Sequence, residues 1–153
     1  MELFLDPTPG RGATAALYEQ LRAAIVEHRP QCVVVDPLSA MLKAGGALPA
    51  LTVAQRLLHV TKADGITLLT TSLIESGEPL AEQTALNIST VADTWLHVSY
   101  VAQGGERNRA LTVVKSRGTS HSNQVRELIL SDEGVALADV YTAGGEVLMG
   151  TLR

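Results

Sequence analysis

The sequence is short of cysteine and of aromatic residues. Its 153 residues include one cysteine, Cys32, one phenylalanine, one tryptophan and three tyrosines. A single cysteine excludes an internal disulfide bond, and no Cys/His spacing resembles a zinc site. We therefore predict a protein of a reducing compartment. Because aromatic side chains are scarce, the core must be built from Ala, Val, Leu and Ile, which is typical of parallel sheets covered by helices.

The sequence also lacks a signal peptide, a membrane-spanning run and an excess of positive charge. Residues 1–6 have no basic head before an apolar stretch, and no apolar run approaches the roughly 20 residues that span a bilayer. The formal net charge of −4 gives the surface no general field for a polyanion, so phosphate binding needs a local cluster of cations. We predict a cytoplasmic protein without membrane contact.

Length and composition fit one globular domain over residues 1–153. Hydrophobic residues make up 46% and charged residues 18% of the sequence, a balance that excludes intrinsic disorder. The first half predicts strand–helix units and therefore a parallel sheet with flanking helices. Helical periodicity predicts helices over 12–28 and 48–64, and apolar runs predict strands over 2–6, 32–36 and 66–71. The run at 32–36 has the pattern of a parallel strand that is buried on both faces.

The second half has the pattern of antiparallel strands joined by tight turns. Period-two alternation predicts strands over 94–101, 109–116, 125–130 and 135–141. Turn-forming residues occupy 103–108, 131–134 and 143–145. The fold class is therefore α/β, with parallel strands and helices first and antiparallel hairpins after them.

Asp36 follows the buried strand predicted at 32–36. A carboxylate at the carboxyl end of a parallel strand lies where open α/β sheets bind ligands, and in P-loop enzymes such an aspartate holds magnesium through water. The alternative is that Asp36 caps the turn that follows at Pro37-Leu38-Ser39. The residue pattern leaves both interpretations open.

A local cluster of cations lies between residues 104 and 126. Five of the twelve Lys and Arg residues fall there, with Glu106 as the only acid: Arg107, Arg109, Lys115, Arg117 and Arg126. In an extended strand, the odd-numbered residues from 109 to 117 would project to one side. Two converging cations beside Thr119, Ser120 and His121 suit a triphosphate. The alternative is a solvated edge strand that its charges protect from aggregation.

Two catalytic motifs are missing from the sequence. None of the three lysines lies in a G-x-x-x-x-G-K-[ST] motif, so these 153 residues contain no phosphate-binding loop of the P-loop type. No G-x-S-x-G elbow is present either, and the four histidines show no paired spacing.

Several segments together resemble the KaiC proteins, which are RecA-like ATPases best known from the circadian clock. They are Ile88-Ser-Thr-Val-Ala-Asp-Thr94, Gly105-Glu-Arg-Asn-Arg109 after Tyr100, Lys115-Ser-Arg-Gly-Thr-Ser-His121, Arg126-Glu127 and Ser131-Asp-Glu-Gly134. The resemblance runs from about residue 32 to the end of the sequence. It implies a partial RecA-like fold, corresponding to the carboxyl-terminal part of one ATPase domain without the Walker A segment.

The resemblance implies a hexamer that binds ATP and Mg²⁺ between subunits. By position, Asp36 matches the Walker B aspartate that holds magnesium through water, and Lys115 and Arg117 match the residues that reach the γ-phosphate of the neighbour. We call this pair the Lys/Arg finger. Further matches to nucleotide contacts are Arg109, Ser116, Thr119, His121, Ser131 and Asp132. Ser89 and Thr90 match the adjacent serine and threonine that clock KaiC proteins autophosphorylate. Thr84 matches a further threonine in the same region of those proteins.

The sequence also departs from the family pattern. Ala85 stands where the second ATPase domain of the clock protein has an aspartate, which argues against phosphotransfer regulation of the clock type. Without a P-loop, we expect the chain alone not to turn over ATP. Its partners would be further copies or a P-loop-containing subunit, with clock-type regulatory proteins as additional candidates.

Two other functions remain to be weighed against an ATP site. The first is a non-catalytic assembly module that binds a full-length ATPase partner. The second is nucleic-acid binding through residues 104–126. One patch without an aromatic stacking platform argues against nucleic acid.

Overall fold

The computed structural model describes residues 13–41, 47–73, 91–103, 105–143 and 146–148. The chain divides into two compact units, of which the first contains the described residues up to 73 and Val91, and the second those from Ala92 onward. Helices and parallel strands occur in the first unit and antiparallel strands in the second. The mixed α/β class is therefore confirmed. That residues 1–153 form one domain stays a prediction.

The first unit alternates helices and strands, as the apolar periodicity predicts. Its elements are α1 (Ala13–His28), β1 (Cys32–Val35), α2 (Ala47–Ala63) and β2 (Thr67–Thr70). Strands β1 and β2 pair in parallel, with Cys32 opposite Thr67 and Val35 opposite Thr70. Helix α2 lies in the connection between them, as parallel pairing requires a long crossover. The strand predicted at 2–6 lies outside the described residues.

Both helices end at residues whose chemistry stops a helix. Helix α1 ends before Arg29, which has a positive φ of 43°, and Pro30 cannot continue a helix. Helix α2 ends at Ala63, and Gly65, two residues later, has a φ of 68°. The Ile66 N–H donates to the Thr61 carbonyl at 2.7 Å and the Gly65 N–H to the Lys62 carbonyl at 3.2 Å. This is the Schellman arrangement, which satisfies carbonyl groups that the last turn leaves without helical partners.

The core of the first unit lies between the helices and one face of the β1–β2 sheet. Its buried side chains are Tyr18, Ile25, Leu38, Met41, Ala50, Val53, Ala54 and Leu57. Val33, Val35 and Leu68 pack against them. Val34 and Leu69 point the other way and are 59% and 53% exposed. The prediction of a strand buried on both faces is therefore wrong in this structure, because only alternate residues of β1 and β2 contact the core.

The second unit is built on a four-stranded antiparallel sheet in sequential order. Its strands are β3 (Thr94–Gln103), β4 (Glu106–Ser116), β5 (Arg126–Ser131) and β6 (Gly134–Asp139), followed by a separate hairpin of β7 (Tyr141–Ala143) and β8 (Glu146–Leu148). The turn predicted at 103–108 is wrong at Gln103, which belongs to β3, and over 106–108, which belong to β4. Gly105, with φ of 85°, allows a tight reversal, so Glu106 already pairs with Gln103. The strand predicted at 135–141 is interrupted at Val140.

Strand β4 contains one extra residue relative to β3. Trp95 pairs with Lys115, whereas the next residue, Leu96, pairs with Val113, so Val114 is the extra residue of a β-bulge. Opposed residues of an antiparallel pair share a face, and successive residues alternate between faces. Lys115 therefore lies on the face of Trp95, and Val113 on the face of Leu96.

Among the residues that the structure describes, neither helix has the length and apolar character of a membrane-spanning segment.

Candidate functional site

The first candidate site lies at the carboxyl ends of the two parallel strands. Asp36 directly follows β1, and Thr71 directly follows β2. The Thr71 hydroxyl donates a hydrogen bond to Oδ1 of Asp36. The main chain holds the same two ends together, because the Thr71 N–H donates to the Val35 carbonyl at 3.0 Å and the Leu38 N–H donates to the Thr71 carbonyl at 2.8 Å. The carboxylate is therefore linked to both strands.

The turn after Asp36 is closed by its own backbone and anchored in the core. The Ala40 N–H donates to the Pro37 carbonyl and the Met41 N–H to the Leu38 carbonyl, each at 3.1 Å. The side chains of Leu38 and Met41 are buried. The Asp36 carboxylate bonds across to Thr71 instead of to this turn. The geometry thus leaves the carboxyl group exposed at the edge where α/β sheets bind ligands.

A single exposed carboxylate beside hydroxyl groups fits magnesium better than a metal ion whose ligands all come from the protein. Ser39 lies near Asp36 and its Oγ accepts a hydrogen bond from the Leu73 N–H at 3.4 Å. Within the described ranges, no group of three or more His, Cys, Asp or Glu side chains could hold a metal ion. Magnesium usually keeps several waters and binds one or two carboxylates plus substrate phosphates. The oxygen groups at this edge suit that mode.

The second candidate site lies where β4 ends, in the other unit. Lys115 and Ser116 are the last residues of β4, and Arg117 and Gly118 begin a turn in which Gly118 has φ of 77°. The Ser116 and Thr119 hydroxyl oxygens are 2.6 Å apart. The Thr94 hydroxyl oxygen lies 3.4 Å from that of Ser116. A chain of three hydroxyl groups therefore links the start of β3 to the turn after β4.

Arg117 is held by Asp93, the residue before β3. The Arg117 N–H donates to the Asp93 carbonyl at 2.8 Å. Nη1 of Arg117 lies 4.0 Å from Oδ1 of Asp93, and the two side chains are 53% and 42% exposed. Charge pairs with this exposure contribute little to stability. The guanidinium is therefore directed by Asp93 while it stays accessible to solvent.

Arg109 and Lys115, which were expected on one side of the strand, lie on opposite faces of the sheet. Arg109 pairs with Tyr100, on the face opposite to Trp95 and Lys115. The prediction that Arg109, Leu111, Val113 and Lys115 project to one side is therefore wrong at Lys115, because the Val114 bulge shifts the alternation. That Arg109, Lys115 and Arg117 contact nucleotide stays a prediction.

The remaining cations contact other groups of the same unit. The guanidinium carbon atoms of Arg107 and Arg109 lie 4.0 Å and 5.8 Å from the Tyr100 ring centroid. Arg126 forms an ion pair with Asp139 on the neighbouring strand β6. Within the positive cluster, the Asp139 carboxylate thus balances the charge of Arg126, and the Tyr100 ring contacts Arg107 and Arg109.

Other predicted site residues occupy turns or lie outside the described residues. His121 is exposed in the irregular segment after Gly118. Ser131 supports the β5–β6 turn, since its Oγ accepts from the Glu133 N–H at 3.3 Å and donates to the Gly134 carbonyl at 3.4 Å. Asp132 is exposed in that turn. Thr84, Ser89 and Thr90 lie outside the described residues.

Three residues beside these sites were missed by the sequence reasoning. Thr71 had a usable signal, since it follows a parallel strand in the same way as Asp36 does. Asp93 and Thr94 lie in a segment that resembles the KaiC proteins, but their contacts depend on the pairing of β3 with the end of β4, including a bulge that the residue pattern does not reveal.

A strand–helix–strand unit with an aspartate at the carboxyl edge, followed by an antiparallel sheet with a cationic turn, is the arrangement of a RecA-like ATPase domain. The family model described as the KaiC ATPase matches residues 6–140. The chain therefore belongs to the KaiC family.

Relatives with curated names agree with this family. The "Circadian clock protein KaiC2" of Synechocystis sp. is 42% identical over 135 residues, which cover 88% of this chain and 24% of the relative. The "Circadian clock oscillator protein KaiC" of Prochlorococcus marinus is 32% identical over 133 residues, covering 85% and 26%. The protein of that name from Synechococcus elongatus is 28% identical over 134 residues, covering 86% and 25%. The chain spans about a quarter of the length of these relatives.

Proposed function

We propose that this chain supplies Asp36 and the Lys/Arg finger to an ATP site formed between KaiC-family subunits in the cytoplasm. The proposal rests on Arg117, which is exposed just after β4 and forms an ion pair with Asp93. The chain that carries this arginine belongs to a family of ATPases. The assembly would be the hexamer that the family resemblance implies. Within these 153 residues there is no P-loop motif. A P-loop-containing subunit would therefore supply the loop that binds the phosphates.

Asp36 would hold the magnesium ion through water. When bound with ATP, magnesium neutralises phosphate charge and aligns the phosphates for transfer. Oδ1 of Asp36 accepts from Thr71, and Oδ2 would be the oxygen that holds the ion through water. The hydroxyl of Thr71 thereby keeps the carboxylate in one rotamer.

The Lys/Arg finger would neutralise the charge that develops on the transferred phosphoryl group. Lys115 acts as a point charge, and Arg117 offers a planar fork that matches phosphate oxygens. Ser116 and Thr119, whose hydroxyl groups contact each other, would donate to the same nucleotide with His121. Arg109, Ser131 and Asp132 are proposed as further nucleotide contacts, and Ser89 and Thr90 as acceptors of an autokinase reaction.

A second candidate is a non-catalytic module that binds a P-loop-containing KaiC-family subunit. It is favoured by one face of the β3–β6 sheet, where large apolar side chains are about half exposed or more. These are Leu96, Val98, Tyr100, Leu130, Val135 and Leu137. By register they all share the face opposite to Lys115. Contiguous apolar surface that is exposed to solvent often marks a site of contact with another protein.

The test is complementation of a KaiC-family subunit that has a P-loop but carries alanine at its own two finger positions. Adding the 153-residue chain should raise ATP hydrolysis by at least about tenfold, because arginine fingers contribute on the order of 10³–10⁵ in phosphoryl transfer. The Lys115→Ala/Arg117→Ala variant should bind the subunit equally well in sedimentation experiments and restore nothing. A matched Arg22→Ala/Lys62→Ala variant, which removes one arginine and one lysine from the helices, should behave like the unchanged chain.

Two outcomes decide between the candidates. Restoration that needs Lys115 and Arg117 supports the Lys/Arg finger. Association without restoration, or equal restoration by the double variant, favours the assembly module.

A further inference from the structure

The Lys/Arg finger begins where the regular sheet ends. The pair formed by Thr94 and Ser116 is the last of the β3–β4 register, and Arg117 lies one residue beyond it. Gly118 then turns the chain with φ of 77°. A residue at such a position keeps a defined place only if something outside the strand holds its main chain. The carbonyl of Asp93 does so, because it accepts the Arg117 N–H at 2.8 Å.

The same residue also faces the charged end of Arg117. Oδ1 of Asp93 lies 4.0 Å from Nη1 of Arg117. Asp93 thus contacts Arg117 at its main chain and at its guanidinium. Two contacts from one residue define both the position of Cα and the direction of the side chain.

The next residue of each segment adds a second connection. The hydroxyl oxygen of Thr94 is 3.4 Å from that of Ser116, and Ser116 contacts Thr119 at 2.6 Å. Asp93 and Thr94 therefore contact Arg117 and Ser116, and through Ser116 they are connected to Thr119.

We propose that Asp93 is the positioning residue of the Lys/Arg finger, an inference that rests on the proposed function. Its carboxylate keeps the Arg117 guanidinium extended toward solvent before a neighbouring subunit brings ATP. The exposed pair is weak, whereas phosphate accepts two parallel hydrogen bonds from a guanidinium. Arg117 then exchanges the carboxylate for the γ-phosphate without a search through other rotamers.

The test is a double-mutant cycle in the complementation assay. Asp93→Asn keeps the carbonyl that accepts the Arg117 N–H but removes the charge. We expect it to lower the restored kcat about fivefold and to leave the KM for ATP within about twofold, since it affects a group that acts in the transition state. In the Arg117→Ala background the same substitution should have no further effect. Asp93→Glu, which keeps the charge, should recover part of the rate.

The matched control is Asp139→Asn. It removes another aspartate that pairs with an arginine of the same sheet, Arg126, and it should leave kcat unchanged. An equal loss from Asp93→Asn in both backgrounds, or no loss in either, would overturn the proposal. A loss from Asp139→Asn as large as that from Asp93→Asn would do the same.

A second readout uses the 153-residue chain alone and does not depend on ATP hydrolysis. In NMR spectra, the Arg117 Nη–Hη resonances should shift toward the values of an unpaired arginine in Asp93→Asn, while those of Arg126 stay in place. If the chain fails to restore hydrolysis but this shift appears, the proposed function fails and the positioning contact stands. If the Arg117 resonances do not move, the positioning role is wrong whatever the outcome of the complementation.

Discussion

Thr71 and Asp36 lie at the carboxyl ends of neighbouring parallel strands, and the Thr71 hydroxyl donates a hydrogen bond to Oδ1 of Asp36. The relationship follows from the fold, since parallel pairing places the ends of β1 and β2 at the same edge of the sheet. Val35 pairs with Thr70, so the two residues that follow them are neighbours. The pairing of the two strands is therefore enough to bring the Thr71 hydroxyl next to the Asp36 carboxylate.

Replacing Thr71 by valine should uncouple Asp36 from β2. Valine keeps the branched shape but has no donor, so the free energy of unfolding should fall by about 1 kcal/mol, the usual contribution of one hydrogen bond. Urea denaturation of the chain measures this. Thr71→Ser retains the hydroxyl and serves as the control. Equal stabilities of the two variants would contradict a bond between Thr71 and Asp36.

Gly65→Ala should destabilise the end of α2 through backbone conformation alone. Gly65 has φ of 68°, and a Cβ placed on it meets no atom within 4 Å. The expected loss is about 1 kcal/mol, the penalty that a left-handed conformation imposes on residues other than glycine. Gly65→Asn should lose less, since asparagine tolerates this conformation better. Thermal unfolding of both variants provides the measurement, and a larger loss with asparagine would be the contrary result.

Leu57→Ala should be the more damaging of two leucine substitutions in the first unit. Leu57 is 1% exposed and belongs to the core, whereas Leu69 points away from it. Truncating a buried leucine costs about 2–5 kcal/mol, and an exposed one usually less than about 1 kcal/mol. Urea denaturation of Leu57→Ala and Leu69→Ala should show this difference. Similar losses would mean that the face carrying Leu69 is also covered in solution.

The regular elements of this fold could be predicted because their signal is local. The apolar periodicity of α1 and α2 and the apolar runs of β1 and β2 lie in consecutive residues, and their bounds agree within one or two residues. The β-bulge at Val114 could not be predicted, because a bulge depends on which residues of β3 oppose it. Glu106 and Arg107 were assigned to a turn, since polar residues after two glycines resemble a loop until pairing with β3 is known.

The two candidate sites also differ in how far they could be predicted from the sequence. Asp36 could be located from the end of an apolar run. The contact of Asp93 with Arg117 joins residues 24 positions apart and exists only once β3 and β4 have paired. The contact between Asp93 and Arg117 therefore could not be predicted from the order of residues alone.

His97→Phe should not destabilise the chain, although it alters a buried position. His97 is 8% exposed, and its Nδ1 has no hydrogen-bond partner within the part of the chain that the structure describes. An unsatisfied buried polar atom costs about 1–3 kcal/mol. Phenylalanine keeps the planar ring without that atom, so the free energy of unfolding should stay equal or rise by about 1 kcal/mol. A loss above about 2 kcal/mol would show that Nδ1 has a partner in solution.

The purified chain should not hydrolyse ATP by itself. In the proposed function, the Lys/Arg finger would stabilise charge on phosphates that another group must hold, and no P-loop motif occurs in these 153 residues. Steady-state phosphate release from the chain with magnesium and ATP should equal that of the Asp36→Ala variant and of a blank without protein. Turnover by the unchanged chain that Asp36→Ala abolishes would refute this prediction. It would place a complete phosphate site within the chain and make the supply of a P-loop by a second subunit unnecessary.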